Sequence, residues 1–262
     1  MREPVVSIIM PTYDNADMIA GAISSLMIQN FPDFELIIVS DGAGDETTDE
    51  ILKFKDERII CRLIEHGKDY GISALNYGFA LARGKYLTMC SSDNVYTTNF
   101  LRTLLEELDN SAADFVYGSF FQLEKSKGKM SEFGRPSLLN GPFCIAHAAI
   151  GYTTGICFLF TREVWEKFGP YNVSSNADYD LVARMAIGGV KFRFVDSILG
   201  ANVIHDRQTS ETSRSYDEEM RIRLMVCDYM IKNKLPGGVE IKKMVLSNRR
   251  RFKHLEGKEI RL

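Results

Sequence analysis

Four polar clusters hold the residue types that could do chemistry. Ser91-Ser92-Asp93-Asn94 ends an apolar run (Tyr86, Leu87, Met89) and is followed by Thr97-Thr98-Asn99, which opens a helix. One hard carboxylate beside small polar groups suits a divalent cation that holds phosphates. Pro11-Thr12-Tyr13-Asp14 follows the run Val5–Met10, and Ser40-Asp41-Gly42 follows Phe34–Val39. Asn176-Ala177-Asp178-Tyr179-Asp180 stands at the start of a helical segment. An aromatic ring (Tyr13), a carboxylate able to accept base N–H donors (Asp41) and a metal-binding carboxylate (Asp93) compose a nucleoside diphosphate pocket. Taken alone, each cluster has a plainer reading. Thr12, Asp14 or Asn15 can cap a helix, Asp41-Gly42 and Asp93-Asn94 can be turns, and Asp178 and Asp180 can be first-turn charges. The order and spacing of the four together carry the signal.

The elements that must position them read clearly in the first hundred residues. Val5–Met10, stopped by Pro11, and Phe34–Val39 are β-branched, apolar runs of strand length. A helix from Asp14 or Asn15 to about Gln29 places Ile19, Ile23 and Leu26 on one face. Glu46–Phe54 and Ile72–Leu81 read as helices, Ile59–Leu63 as a third strand, and the run ending at Ser91 as a fourth. This β-α-β-α-β-α-β alternation predicts one mostly parallel central sheet with helices on both faces. In such a sheet the first three clusters converge on one edge, at the carboxyl ends of the strands, where open α/β sheets bind ligands. Strand-like segments follow at Phe115–Phe121, Gly155–Phe160 and Lys191–Val195, and helical ones at Arg162–Phe168 and Tyr179–Ala186. The polar connection from Glu124 to Pro142 is long for a compact domain. Beyond Ser210 the pattern is polar and helical, broken at Pro236-Gly237-Gly238.

Composition narrows the class. The 262 residues are 45% hydrophobic and 26% charged, as in soluble globular proteins. The five cysteines are scattered without a CxxC, which argues against structural zinc or a disulfide framework and for a reducing cytoplasm. The N-terminal MREPVVSIIMPTYDN lacks the apolar core of a signal peptide, and no stretch of 18 apolar residues occurs. From Lys232 to Leu262 ten Lys/Arg stand against three Glu, a net of +7, leaving −10 on the rest of the chain. A basic tail on an acidic body can meet anionic lipid, a polyanionic substrate or another subunit, as in a homodimer.

The chain resembles the family 2 nucleotide-sugar glycosyltransferases, which have the GT-A fold. The resemblance runs through VSIIMPTYDNADMIAGAISSLMIQNFPDFELIIVSDGAGDETTDEI, ALNYGFALARGKYLTMCSSDNVYTTNFL, GICFLFTREVWEKFGPYN with NADYDLVARMA, and VIHDRQTS, roughly residues 4 to 210. It implies a glycosyltransferase domain over 1–210, with a nucleotide-sugar half of about 1–95 and an acceptor half of about 96–210, and a basic helical extension over 211–262. By the same resemblance Pro11, Thr12 and Tyr13 pack against base and ribose, and Asp41 hydrogen-bonds the base, usually uracil. Gly71, Ser73 and Asn76 flank the donor. Ser91-Ser92-Asp93 matches the family's D-x-D, whose last aspartate binds a metal, manganese or magnesium, on the diphosphate. His205 falls where many members place a histidine near that metal, with Arg207 able to add charge. Asp178 matches the proposed catalytic base of an inverting transfer from a nucleoside diphosphate sugar to a saccharide or lipid-linked acceptor. Tyr152, Asp180 and Arg184 fall on the acceptor side, although Arg184 can also pair with Asp180. Trp165, the sole tryptophan, reads as core packing. The resemblance further implies a cytoplasmic protein with peripheral contact at the inner membrane face, through Arg249-Arg250-Arg251-Phe252-Lys253.

Two positions depart from the family pattern. Ser91 replaces the first aspartate of D-x-D, and Ala177 replaces the glutamate that usually precedes the base. They keep open a second reading, a nucleotide-sugar binding protein with weak catalysis. A nucleotidyltransferase calls for a Gly-rich loop after the first strand, and PTYDNAD has no glycine. A Rossmann dehydrogenase calls for GxGxxG there, also absent. The basic tail lacks the aromatic interleaving of nucleic-acid binders.

Overall fold

A computed structural model describes residues 3–42, 46–65, 69, 71–124, 129–131, 143–151, 154–172, 176–205 and 215–253. Tyr152, Arg207, most of the 124–142 connection, the chain beyond 253 and the side chains beyond Ser247 lie outside the described residues.

The parallel half of the sheet is built from β1 (Val6–Thr12), β2 (Phe34–Asp41), β3 (Ile59–Ile64) and β4 (Tyr86–Met89), in the order β3-β2-β1-β4. Both faces of β1 and β2 are covered, so these strands are largely apolar rather than alternating, with the buried Ser7 hydroxyl donating to Glu35 between them. Successive side chains still point to opposite faces. Ile8, Met10, Leu36 and Ile38 join a cluster under α1 (Ala16–Met27) and α4 (Phe100–Asn110). Ile9, Ile37 and Val39 join a second cluster, under α3 (Ile72–Leu81), α6 (Arg162–Phe168) and α7 (Ala177–Ile187). Helix α2 (Glu46–Leu52) buries Thr47 and Ile51, and Ile51 packs in the first cluster. Helix α3 presses close to the sheet at Gly78, where a Cβ would lie 2.6 Å from Ile9 Cγ2.

β1 does not stop at Pro11, as its sequence predicts, but continues to Thr12. The Ile9 carbonyl accepts from the Cys90 amide, so Pro11, two residues on, faces the same neighbour. The ladder to β4 ends at Ile9–Met89, and the missing proline N–H therefore falls beyond its last rung.

The second half of the sheet is mixed. β8 (Phe158–Thr161) runs antiparallel to β4 and to β6 (Phe115–Glu124), while β6 runs parallel to β9 (Phe192–Ile204). The short β5 (Val95–Tyr96) and β7 (Lys129–Ser131) add antiparallel pairs to β9 and β6. β9 is 13 residues long, well past the predicted end at Val195. Its later half mixes polar with apolar residues, and it shifts register against β6 at Gly118/Ser119 and Ser119/Phe121.

The C-terminal region forms α8 (Tyr216–Lys232) and α9 (Gly238–Lys253), separated by a turn in which Gly237 has φ +77°. Both pack with α7 and with α5 (Ile145–Ile150) in a third apolar cluster that includes Ala148, Ala183, Ile222, Val226 and Val245. Among the described residues no helix is long and apolar enough to cross a membrane.

Candidate active site

The sheet register brings the first three clusters to one edge. Thr12 closes β1 opposite Ser40 of β2, and Asp41 is the last residue of β2. Thr12, Ser40 and Asp41 are all buried. The Thr12 and Ser40 hydroxyls have no hydrogen-bond partner among the described residues. Pro11 is half-buried at the same edge, and Tyr13 is 56% exposed, as a ring offered to a ligand would be.

Asn15 occupies the N-cap position of α1, but its side chain makes no cap hydrogen bond. It donates to Ser92 Oγ at 2.8 Å, while its backbone N–H goes to Thr47 Oγ1 at 2.9 Å. The capping role expected of this residue thus gives way to a tie that holds the Ser92 corner against α1. Ser92 spends its hydroxyl there, and Ser91 Oγ lies 4.0 Å from Met89 Sδ.

Asp93 meets His205 across 112 residues of chain, with His205 Nε2 3.1 Å from Asp93 Oδ2. Two details of the fold create this contact. β5 pairs with β9, and Asn94 Oδ1 accepts from the Val203 amide at 3.0 Å, so the end of β9 is fastened to the corner two residues before His205. Asp93 Oδ1 and His205 Nδ1 are buried and have no partner among the described residues. Two adjacent ligand types with unsatisfied buried atoms fit a divalent cation whose other ligands are diphosphate oxygens and water. Among the described residues no group of three or more His, Cys, Asp and Glu is gathered for a metal, so the described residues offer such an ion these two protein ligands.

Asp178 lies in the first turn of α7, over a small cavity lined by Phe115, Phe158, Phe160, Tyr171, Leu181, Val182 and Met185. Part of its surface reaches solvent, yet packed protein surrounds the carboxylate. This burial pushes its pKa up to about 6, against the opposing pull of a hydrogen bond from the Tyr171 side chain. A carboxylate so placed can take a proton near neutral pH. Ala177, one residue earlier, is buried in the second cluster, where a glutamate carboxylate would sit among apolar side chains.

Asp180 is 2% exposed and does not present itself to an acceptor. Its carboxylate accepts from Arg184 Nε at 2.9 Å and Asn172 Nδ2 at 2.7 Å, and Arg221 of α8 lies 3.5 Å away. Arg184 also donates to the carbonyls of Phe168 and Pro170. Of the two sequence readings of Arg184, the pairing with Asp180 is the one observed. Asn76 exchanges two hydrogen bonds with the backbone of Tyr171, at 3.0 and 2.9 Å, so its amide is committed inside the protein. Gly71 takes φ +78° at the N-cap of α3, and Ser73 binds Asp69 Oδ2 through its amide and hydroxyl. Trp165 stacks on Phe79 at 4.0 Å, as core packing predicts. Asn15, Asn94, Tyr171 and Asp69 are the site residues that sequence reasoning did not select. Asn94 stood inside a recognised motif, which was the only signal available for any of them.

The fold and this edge define a glycosyltransferase of GT-A architecture. The chain belongs to Glycosyl transferase family 2, whose description matches residues 7–169. It is 30% identical over 229 residues to an uncharacterised glycosyltransferase of Rickettsia typhi, covering 82% of this chain and 69% of that one. It is 27% identical to the Escherichia coli UDP-Glc:alpha-D-GlcNAc-diphosphoundecaprenol beta-1,3-glucosyltransferase WfaP, covering 72% of this chain and 73% of the relative. Among solved structures, residues 1–349 of Staphylococcus aureus TarS in complex with UDP-GlcNAc superpose with a TM-score of 0.71 at 16% identity. That match covers 85% of this chain and 66% of the other. The mannosyltransferase PcManGT from Pyrobaculum calidifontis, in complex with GDP-Man and Mn2+, superposes with a TM-score of 0.64 at 16% identity. It covers 94% of this chain and 70% of the other.

Proposed function

We propose that this glycosyltransferase moves a sugar from a nucleoside diphosphate sugar, with UDP the first base to test, to an acceptor hydroxyl with inversion at the anomeric carbon. The observation that carries the reading is the Asp93–His205 contact at the carboxyl edge of the sheet. It sets two metal-ligand types beside the buried Thr12, Ser40 and Asp41 that would receive base and ribose. A manganese or magnesium ion held by Asp93 and His205 would neutralise charge on the leaving diphosphate. Asp178 accepts the proton of the attacking hydroxyl, and its apolar surroundings keep the acceptor oxygen from competing water. The acceptor is a saccharide or a lipid-linked saccharide, a class supported by the diphosphoundecaprenol-linked acceptor of WfaP.

Thermal melting with UDP, GDP and TDP, each with and without manganese, tests the donor site. The expected result is a metal-dependent upward shift with one nucleotide, lost in Asp93→Asn. No shift with any nucleotide or metal would count decisively against the site. The sugar is then identified by release of the nucleotide from a panel of sugar nucleotides.

A further inference from the structure

The carboxylate read above as the base is held by a chain of contacts that crosses the molecule. Tyr171 is 4% exposed, lines the same cavity as Asp178 and hydrogen-bonds it through its side chain. The backbone of Tyr171 is pinned by α3, which covers the same face of the sheet. Asn76 Nδ2 donates to its carbonyl at 3.0 Å, and its amide donates to Asn76 Oδ1 at 2.9 Å. The preceding turn is held by Arg184, which binds the Phe168 and Pro170 carbonyls and is itself fixed by Asp180. The Tyr171 ring packs against Phe79 and Trp165, with centroids 5.8 and 5.7 Å apart. Backbone and ring are therefore both immobilised, leaving only the hydroxyl to reach Asp178.

We propose that Tyr171 is a positioning residue that aims the Asp178 carboxylate at the acceptor, and that Asn76, 95 residues away, acts through it. This rests on Asp178 being the base. The other charged groups near Asp178 neutralise one another. Asp180 is taken by Arg184 on the same helix and approached by Arg221 from α8, while β6 and β8 present only the rings of Phe115, Phe158 and Phe160. Among the described residues the Tyr171 side chain is then the polar group on the cavity wall that acts on the base. A hydroxyl that donates to the ionised form lowers a carboxylate pKa, so its removal moves the pKa up.

Tyr171→Phe keeps the ring and deletes the donor. The expected result is a base limb of the kcat–pH profile displaced upward by about one pH unit. At pH 6 this is roughly a fivefold loss in kcat, fading at pH 8, with the donor KM unchanged. Asn76→Ala should displace the limb in the same direction while the phenol is still present. A 13C NMR titration of the aspartate carboxylates, assigned with Asp178→Asn, reads the same shift without turnover. If Asp178→Asn transfers sugar at the parental rate, the base assignment falls and this inference with it. If Asp178→Asn is inactive and both Tyr171→Phe and Asn76→Ala titrate like the parent, only the role of Tyr171 is overturned.

Discussion

The two aspartates at the heart of the site live in opposite surroundings. Asp93 sits in a polar corner, 3.1 Å from an imidazole nitrogen, and that corner is fastened by the Asn15 side chain at the start of α1 and by the Val203 amide of β9. Asp178 sits over aromatic rings with the Tyr171 side chain as a hydrogen-bond donor, and burial lifts its pKa to about 6. On the proposed reading the first environment suits a metal ligand and the second a proton acceptor, from the same side chain. Role is assigned by what lies around a carboxylate, not by the carboxylate itself.

Substituting each aspartate separates the roles. Asp178→Asn is expected to cut transfer by about 10²–10⁴-fold while the nucleotide melting shift survives. Asp93→Asn and His205→Ala should do the reverse: both lose the metal-dependent part of the melting shift, and transfer falls about tenfold or more. If Asp178→Asn loses nucleotide binding as well, the two regions are one functional unit and the contrast collapses.

Stability should sharpen the contrast with an effect of a few kcal/mol. Arg184→Ala leaves the buried Asp180 without its main partner and is expected to cost about 3 kcal/mol, measured by urea denaturation. Asp178 behaves differently. Its folded pKa is raised above the unfolded value, so the folded state holds the proton more tightly. Stability is therefore lost as pH rises from the ordinary carboxylate value toward about 6. Asp178→Asn should accordingly stabilise the protein at pH 7.5 by about 1–2 kcal/mol, and by little at pH 4. Transfer by the parent chain should rise through the same window, since the base works only when ionised. The smallest effect belongs to Ser73→Ala, which loosens the start of α3 by about 1 kcal/mol or less and should leave the pH profile alone.

The parallel half of the sheet was legible because β1 and β2 are short, β-branched runs of strand length bounded by turn residues, which mark buried strands even without a period. β9 was cut short because Asp196, Ser197, Gly200 and Asn202 interrupt its apolar residues and read as the end of a strand. It is instead an interior strand with a shift of register against β6. β5 and α5 are too short for any periodicity to show. The candidate site divides in the same way. Asp41, Asp93 and Asp178 stand at element ends, where type and position alone mark them. Asn15 and Asn76 were visible residues with unpredictable partners, since Ser92 lies 77 residues from the first and Tyr171 lies 95 from the second.

The long strand β9 has a consequence for how the protein comes into being. Residues 1–95 carry the parallel strands, and they leave the ribosome first. The corner around Asp93 is nevertheless unfinished until β9 has paired with β5 and β6 and carried His205 into place. A nascent chain that has passed residue 130 therefore holds Asp93 but not yet its partner His205. On the proposed reading, metal-assisted binding of the donor diphosphate would be complete only late in synthesis, when the last strand closes.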